Sequence, residues 1–477
     1  MKLSRLTQSL LAVTLLASCA PHAPGPLAGF PRPGLNALSA RPTEGVQSQM
    51  LLSDNFTQWM NLQQTPKQIS RSRAGSSFAN ETPEGAEVQP GVPVEGEMVA
   101  QLPAGGAAKA LTYLTYEALD NNLYEDLNRV VDTLELVGSN PQMNLVAQTD
   151  NFGPGNAARY YLKQGQFGKI TSPHVKIGDQ GENSGDPRTM ADAVRWGFSS
   201  YPARVNWLNI SSHGMGFAGI GYDDNPEASM NILSFHQALQ AGLGGKKLDI
   251  ISFDACLMST VEVGAELQDT ANIIVGSEDS TYYWGFGYFT TMSKIAQNPA
   301  ALNPDQVARG MVVDVNNKGA SNQTLTIAAT DLRKIGLLEA ELDNLAKALR
   351  RAMPQHKTDI IRSMQATREF HLAEGIPFRD INRMASLLKQ NVKDAEVARI
   401  CDQINHVMFR RGVIMFSRQS KLEQGQGRGL SIYLPTDGKV SQMYRQTRFA
   451  KETQWDEFLV DMNQAINVAA GLPPTGR

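Results

Sequence analysis

The sequence predicts an α/β fold built on a mostly parallel central sheet, followed by a helix-rich C-terminal region. Three observations carry this expectation. Short apolar runs bounded by polar or glycine-containing stretches recur from Leu111 onward and read as buried strands. Helical spacing separates several of these runs, and strands that alternate with helices form parallel sheets covered on both faces. Beyond about residue 331 the spacing is largely helical, with one late strand-like run. The chain has 477 residues and is 42% hydrophobic, enough for a large core and for two or three domains.

The first element is an export signal. Lys2 and Arg5 precede an apolar run from Leu10 to Ala17, too short for a stable membrane span. The ending Leu16-Ala17-Ser18-Cys19 resembles a bacterial lipobox, so residues 1–18 are expected to be removed and Cys19 to carry lipid. Ala20 follows, with no retaining aspartate, which favours the outer membrane in a Gram-negative cell. Residues 19–108 are rich in Pro, Gly, Ser, Ala and Gln and read as a flexible tether or pro-segment.

Six strands are expected next: LTYLTY (111–116), MNLVAQTD (143–150), VNWLNISS (205–212), KLDIISFD (247–254), NIIVGS (272–277) and TLTIAAT (324–330). Helices are expected at 122–137 and 187–201 between them. These elements make one domain, 109–330. Residues 331–477 carry two long helical stretches and the run GLSIYLP (429–435), expected as a further strand tying this region to the same sheet.

Composition excludes several functions. Lys plus Arg is 44 and Asp plus Glu is 47, a net charge of -3, so there is no basic surplus for nucleic acid. Three cysteines make no disulfide framework. Gly214, Gly216 and Gly219 satisfy G-x-G-x-x-G spacing, but the following YDDNPEASMN is acidic and lacks the helical spacing that a pyrophosphate site needs. GLGGKK (242–247) lacks the Walker spacing, and no H-E-x-x-H is present for a metallopeptidase.

Two strand ends carry the chemistry. VNWLNISS leads into His213-Gly214, and KLDIISFD leads into Ala255-Cys256. Sites in parallel sheets form at the carboxyl ends of strands. If these strands are neighbours, an imidazole and a thiol meet there, the pair that nucleophilic acyl transfer requires. Backbone N–H groups of Gly214 and Cys256 are the candidate oxyanion donors. The segment after Cys256 has helical spacing, and its N-terminus is expected to lower the thiol pKa. Taken singly, Cys256 also reads as a small core residue and His213 as a structural one.

SSHGMG, SFDACLMSTVEVGAEL and IIVGSED resemble the clostripain family of cysteine peptidases, within the caspase-like clan. LTYLTYEALDNNLYEDL resembles that family's first strand and the segment after it, and GLSIYLP its late strand. The resemblance implies a caspase-like α/β/α sandwich, His213 and Cys256 as a catalytic dyad, and an endopeptidase that cuts after Arg or Lys. It implies that Asp254 lines the primary specificity pocket; in an extended segment residues 254 and 256 share a side, and a carboxylate suits a guanidinium or ammonium. Asp254 reads alternatively as the N-cap of the following helix. An inactive caspase-like lipoprotein that binds peptides is the alternative function.

Further expectations attach to single residues. Residues 214 to 245 contain no Lys or Arg, so processing of the loop between His213 and Cys256 is disfavoured; cleavage at Arg71 or Arg73 would release the enzyme from its anchor. Glu278 and Asp279 either border the substrate pocket or are surface turn residues, with Asp279 the substrate-binding candidate. Trp284 is a cleft wall or core. No cofactor is required. Calcium stimulates some relatives, and Asp223, Asp224 and Glu227 form an acidic cluster, preferred here as a solvated loop. Cys401 reads as a buried structural thiol, and His236 and His371 lack catalytic partners. Expected partners are peptides or proteins with basic residues and a membrane through Cys19; a monomer is expected.

Overall fold

The computed structural model describes residues 93–123, 129–153, 155–178, 182–281, 286–316, 326–370, 376–419 and 427–470. Thirteen strands are present among them: β1 (Lys109–Leu119), β2 (Met143–Asn151), β3 (Ala157–Tyr161), β4 (His174–Lys176), β5 (Ala203–Ser211), β6 (Ile220–Asp224), β7 (Glu227–Met230), β8 (Leu248–Asp254), β9 (Ala271–Ser277), β10 (Thr326–Asp331), β11 (Phe378–Asp380), β12 (Ile414–Gln419) and β13 (Ser431–Tyr433). Nine form one sheet in the order β12-β10-β9-β8-β5-β1-β2-β3-β4. The five central strands are mutually parallel. Antiparallel strands close both sides, β10 and β12 on one and β3 and β4 on the other. β1 lies between β2 and β5, so the strand order reverses there, and the crevice at such a switch point is where α/β sheets place their sites.

Alternation along the strands builds two cores, because successive side chains point to opposite faces. Leu111 and Tyr113 of β1 face one side, and Leu114 and Tyr116 the other. The first side is covered by α1 (Arg129–Glu135), α5 (Tyr288–Gln297) and α6 (Pro304–Asn316). The second is covered by α2 (Pro187–Ser200), α3 (Ile232–Leu243) and α4 (Val261–Leu267). The C-terminal helices α7 (Ile335–Ala366), α8 (Ile381–Asn391), α9 (Ala395–Asn405), α10 (Arg448–Glu452) and α11 (Trp455–Ala469) extend that second core. The predicted α/β class and helix-rich C-terminal region are therefore observed.

Three expectations change. The signal, Cys19, Arg71 and Arg73 lie outside the described residues, but 93–108 does not behave as a tether. Val94 and Met98 bridge to Ile170 and His174, and Leu102 is buried. An open sheet edge offers unpaired backbone groups to any chain that can approach, whatever its side chains. Gly96 shows the closeness of approach, since a Cβ there would lie 2.0 Å from the Ser172 carbonyl oxygen.

The run 429–435 does contain a strand, β13, but it pairs with β11 in a separate two-stranded sheet. The C-terminal strand that joins the main sheet is β12, an edge strand directly after a helical stretch, where periodicity carries little signal. Residues after Cys256 form no helix until Val261, and α4 is capped by the Thr260 hydroxyl, which accepts from the Val263 N–H at 3.2 Å. Asp254 is not that helix's cap.

Trp455 opens α11, is fully buried, and donates its indole N–H to the Tyr433 carbonyl at 3.1 Å. Trp455→Ala is expected to cost about 3–5 kcal/mol, read by chemical denaturation. A loss below about 1 kcal/mol would show that the C-terminal helices are not part of the same cooperative core.

Candidate active site

Strands β5 and β8 run in parallel with Ser211 level with Asp254. His213 and Cys256 each lie two residues beyond this last pair. The two exits touch. The Ser212 N–H donates to the Asp254 carbonyl at 3.3 Å. A Cβ on Gly214 would fall 2.5 Å from the Cys256 carbonyl oxygen and 3.0 Å from the Ala255 Cβ. Only glycine admits this approach, so Gly214 sets how closely the two segments meet.

His213 is buried, and its Nε2 lies 2.5 Å from the side-chain oxygen of Asn122, just beyond β1. An amide oxygen only accepts, so Nε2 carries the proton and Nδ1 keeps the lone pair. Tyr222 packs edge-on against the ring, with centroids 6.1 Å apart. Burial pushes the His213 pKa down to about 4. The ring is therefore neutral at neutral pH and is a proton acceptor, not a resident imidazolium.

Cys256 is also buried, and its Sγ accepts the Thr281 N–H at 3.4 Å. Leu257 follows with φ 61°, the one non-glycine residue in the left-handed region among the described residues. That conformation costs on the order of 1–2 kcal/mol. It is held by the Leu257 N–H donating to the Asp279 carbonyl at 3.1 Å and the Ser259 N–H donating to Ser277 at 2.8 Å. The expected helix N-terminus at Cys256 is thus replaced by a strained turn with a backbone donor on the sulfur. Plain strand alternation also stops at Asp254, so it does not by itself place residues 254 and 256 on one side.

Asp254 is half-buried at the end of β8. The Tyr288 hydroxyl donates to its Oδ2 at 2.7 Å. That hydroxyl accepts from the Asn209 amide at 3.3 Å, the Asn209 oxygen accepts from Ser252 at 2.6 Å, and Ser252 accepts from the Trp207 indole at 2.8 Å. A chain of neutral hydrogen bonds anchored in the sheet therefore orients the carboxylate.

Asp279 and Glu278 are fully buried, which excludes the surface-turn reading. The Asp279 carboxylate accepts the Ser280 N–H at 2.8 Å and faces Arg368 at 3.5 Å, while its backbone carbonyl holds the Cys256 turn through Leu257. Glu278 accepts the Gly429 N–H at 2.6 Å; burial and then Asp380 raise its pKa. Asp223 is buried too, accepting from Ser184 and Asn225 N–H at 2.7 and 2.8 Å, whereas Asp224 and Glu227 are exposed. The solvated-loop expectation thus fails for Asp223, whose carboxylate fastens two loops. Among the described residues no group of three or more His, Cys, Asp or Glu side chains is arranged to hold a metal. Cys401 is fully buried and burial pushes its pKa up to about 12, as expected of a structural thiol. His236 bonds Asp269 at 2.7 Å, away from this site. Trp284 and His371 lie outside the described residues.

Sequence reasoning missed Asn122, Thr281 and Tyr288. Asn122 left a signal: a polar residue just after a strand of the parallel sheet, in the DNNL segment already singled out. Tyr288 left none, because only folding brings α5 over Asp254.

The profile of the Clostripain family matches residues 115–462. The chain belongs to the clostripain family. Clostripain from Hathewaya histolytica is 23% identical over 442 residues, covering 77% of this chain and 82% of that protein. A secreted C11 cysteine protease from Bacteroides thetaiotaomicron, in complex with an irreversible peptide inhibitor, superposes with a TM-score of 0.55 at 20% identity, over 73% of this chain and 100% of that one. An inactive zymogen C11 protease from Parabacteroides distasonis gives 0.56 at 18% identity, over 74% and 99%. At such identities the structures speak for the fold. As a member of the clostripain family the protein is a cysteine peptidase, a hydrolase acting on proteins or peptides. Among the described residues no helix is long and apolar enough to cross a membrane.

Within this clostripain-family site, Asn122 is bonded to His213. Asn122→Ala is expected to lower kcat on the order of 100-fold by freeing the ring to tilt. Asn122→Asp would set a carboxylate on Nε2 and favour the imidazolium, so the acid limb of the kcat/KM profile should move up from about pH 4. A profile unchanged in Asn122→Asp would remove Asn122 from the support of His213.

Proposed function

We propose that the protein is an endopeptidase that hydrolyses peptide bonds after Arg or Lys, with Cys256 as nucleophile and His213 as its base. The observation that carries this reading is the meeting of the two strand exits, with Ser211 paired to Asp254 and Gly214 packed on the Cys256 carbonyl. In the first half-reaction His213 Nδ1 takes the thiol proton while Sγ bonds the scissile carbonyl carbon. The oxygen becomes an oxyanion, for which the backbone N–H groups of Gly214 and Cys256 are the candidate donors. Collapse breaks the C–N bond, and the imidazolium gives its proton to the leaving amine. Water, deprotonated by the neutral ring, then hydrolyses the thioacyl-enzyme. A ring that is neutral well below pH 7 suits both base steps.

Asp254 receives the basic side chain. The Tyr288 hydroxyl orients its carboxylate, a group that pairs with a guanidinium or ammonium. The same reading places the protein in the cell envelope, anchored through lipid on Cys19 and released by cleavage at Arg71 or Arg73. It is supported by the export-type N-terminus and by a secreted relative among the similar structures.

Cys256→Ala should abolish cleavage of Arg and Lys reporter peptides. Asp254→Asn should lower kcat/KM on both by roughly 100-fold or more while leaving alkylation of Cys256 by iodoacetamide near the wild-type rate. Full activity of Asp254→Asn on basic reporters would overturn the specificity assignment. In a Gram-negative host, Cys19→Ser is expected to shift the full chain out of the membrane fraction; an unchanged distribution would overturn the lipid anchor.

A further inference from the structure

Glu278 and Asp380 are both fully buried, and their carboxyl groups hydrogen-bond each other. Glu278 follows β9 and Asp380 ends β11, so the contact joins the main sheet to the C-terminal region. Two consecutive amides lie against the pair. The Arg428 N–H donates to Asp380 and the Gly429 N–H to Glu278, both at 2.6 Å. The chain closes tightly here, since a Cβ on Gly427 would fall 2.7 Å from Glu278 Oε2.

Two ionised carboxylates buried in contact would repel, so one of them holds a proton. Their hydrogen-bond partners say which. Asp380 accepts two N–H groups, from Arg383 at 2.5 Å on Oδ1 and from Arg428 on Oδ2, and it caps α8, whose N-terminus favours a negative charge. Glu278 accepts one N–H, on Oε2, and its buried Oε1 has no donor. A buried carboxylate oxygen without a donor is costly, whereas an O–H at that position has Asp380 to donate to. The charged groups around the pair are Asp279 beside Glu278, Arg428 beside Asp380 and, across Asp279, Arg368. Burial first, then Asp380 and last Asp279 raise the pKa of Glu278, in keeping with a neutral acid.

What the pair anchors is the segment 278–281. The Glu278 N–H donates to the Thr326 carbonyl at 3.1 Å, the Asp279 carbonyl accepts the Leu257 N–H at 3.1 Å, and the Thr281 N–H reaches Cys256 Sγ at 3.4 Å. We infer that Glu278, as a neutral acid hydrogen-bonded to the Asp380 carboxylate, is a positioning residue for the nucleophile. It fixes the segment that supports the left-handed turn and sets an N–H on the sulfur. The inference rests on the reading of Cys256 as the nucleophile. It also has a pH sign. Folded Glu278 keeps a proton that an unfolded Glu loses, so its support is complete below the ordinary Glu range and is lost as pH rises toward its folded pKa.

The test compares full-chain variants on Arg and Lys reporter peptides. Glu278→Met keeps the volume and loses both hydrogen bonds; it is expected to lower kcat on the order of 100-fold with KM little changed. Glu278→Gln, whose amide N–H replaces the acid O–H, should recover to within roughly threefold of wild type, because no charge is lost. Asp380→Asn loses the charge and the cap and should not recover. Wild-type kcat in Glu278→Met overturns the positioning role. Glu278→Gln as impaired as Glu278→Met, or unable to fold, overturns the neutral acid. A second measurement does not use activity: chemical denaturation of wild type and Glu278→Gln from about pH 5 to about pH 9. The wild-type midpoint should fall more steeply with pH than that of the variant, since every other buried acid titrates in both. Parallel curves overturn the proposal. Cleavage that survives in Cys256→Ala overturns instead the nucleophile reading beneath it, and the denaturation curves are independent of that outcome.

Discussion

The structure depends on one constraint, the parallel register of β5 against β8. Ser211 lies level with Asp254, and beyond that pairing the two exits that carry His213 and Cys256 touch, with Gly214 against the Cys256 carbonyl. A shift of one residue would turn every side chain on the strand to the opposite face. Such a slip would bury Asp254 among the apolar residues around Phe253 and lift the apolar residues to the crevice. The two cores on either side of the sheet therefore enforce the register, and the register builds the site. Its location at the strand-order reversal beside β1 also explains why Asn122 reaches His213.

The electrostatics of the crevice follow from burial. His213 is kept neutral by desolvation, so the proton-accepting form is the resting form. Asp254 is oriented by a phenol that is itself fixed through Asn209, Ser252 and Trp207, all neutral. Strain is concentrated at Leu257, and its supports come from the turn after β9.

The C-terminal half is bound to this turn and is not an appendage. The Ser259 hydroxyl donates to the Gly429 carbonyl at 2.7 Å, Ser431 N–H donates to the Ser259 carbonyl at 3.0 Å, and Glu278 accepts from Gly429. Burial and then the neighbouring Asp380 raise the pKa of Glu278, and burial raises that of Asp380, because two charges buried side by side would repel. Residues more than 150 positions apart thus hold the segment that carries Cys256.

The sequence by itself determined the α/β class, the central strands, and the two strand ends that carry His213 and Cys256, because apolar runs and polar strand exits are local signals that survive without neighbours. It also carried the motif that places the chain among the clostripain-like peptidases. What only the tertiary structure decided was everything set by contacts between distant segments: the pairing of 93–99 with an open sheet edge, the edge strand β12, the left-handed turn in place of a helix after Cys256, and the inward burial of Glu278, Asp279 and Asp223. A carboxylate reads as solvated wherever its partners are unknown, and its partners here are backbone N–H groups and side chains brought close only by folding. The physical reason is the same in each case: periodicity reports which face of an element is apolar, whereas hydrogen-bond partners and close backbone approaches are properties of pairs that the chain brings together only once it has folded.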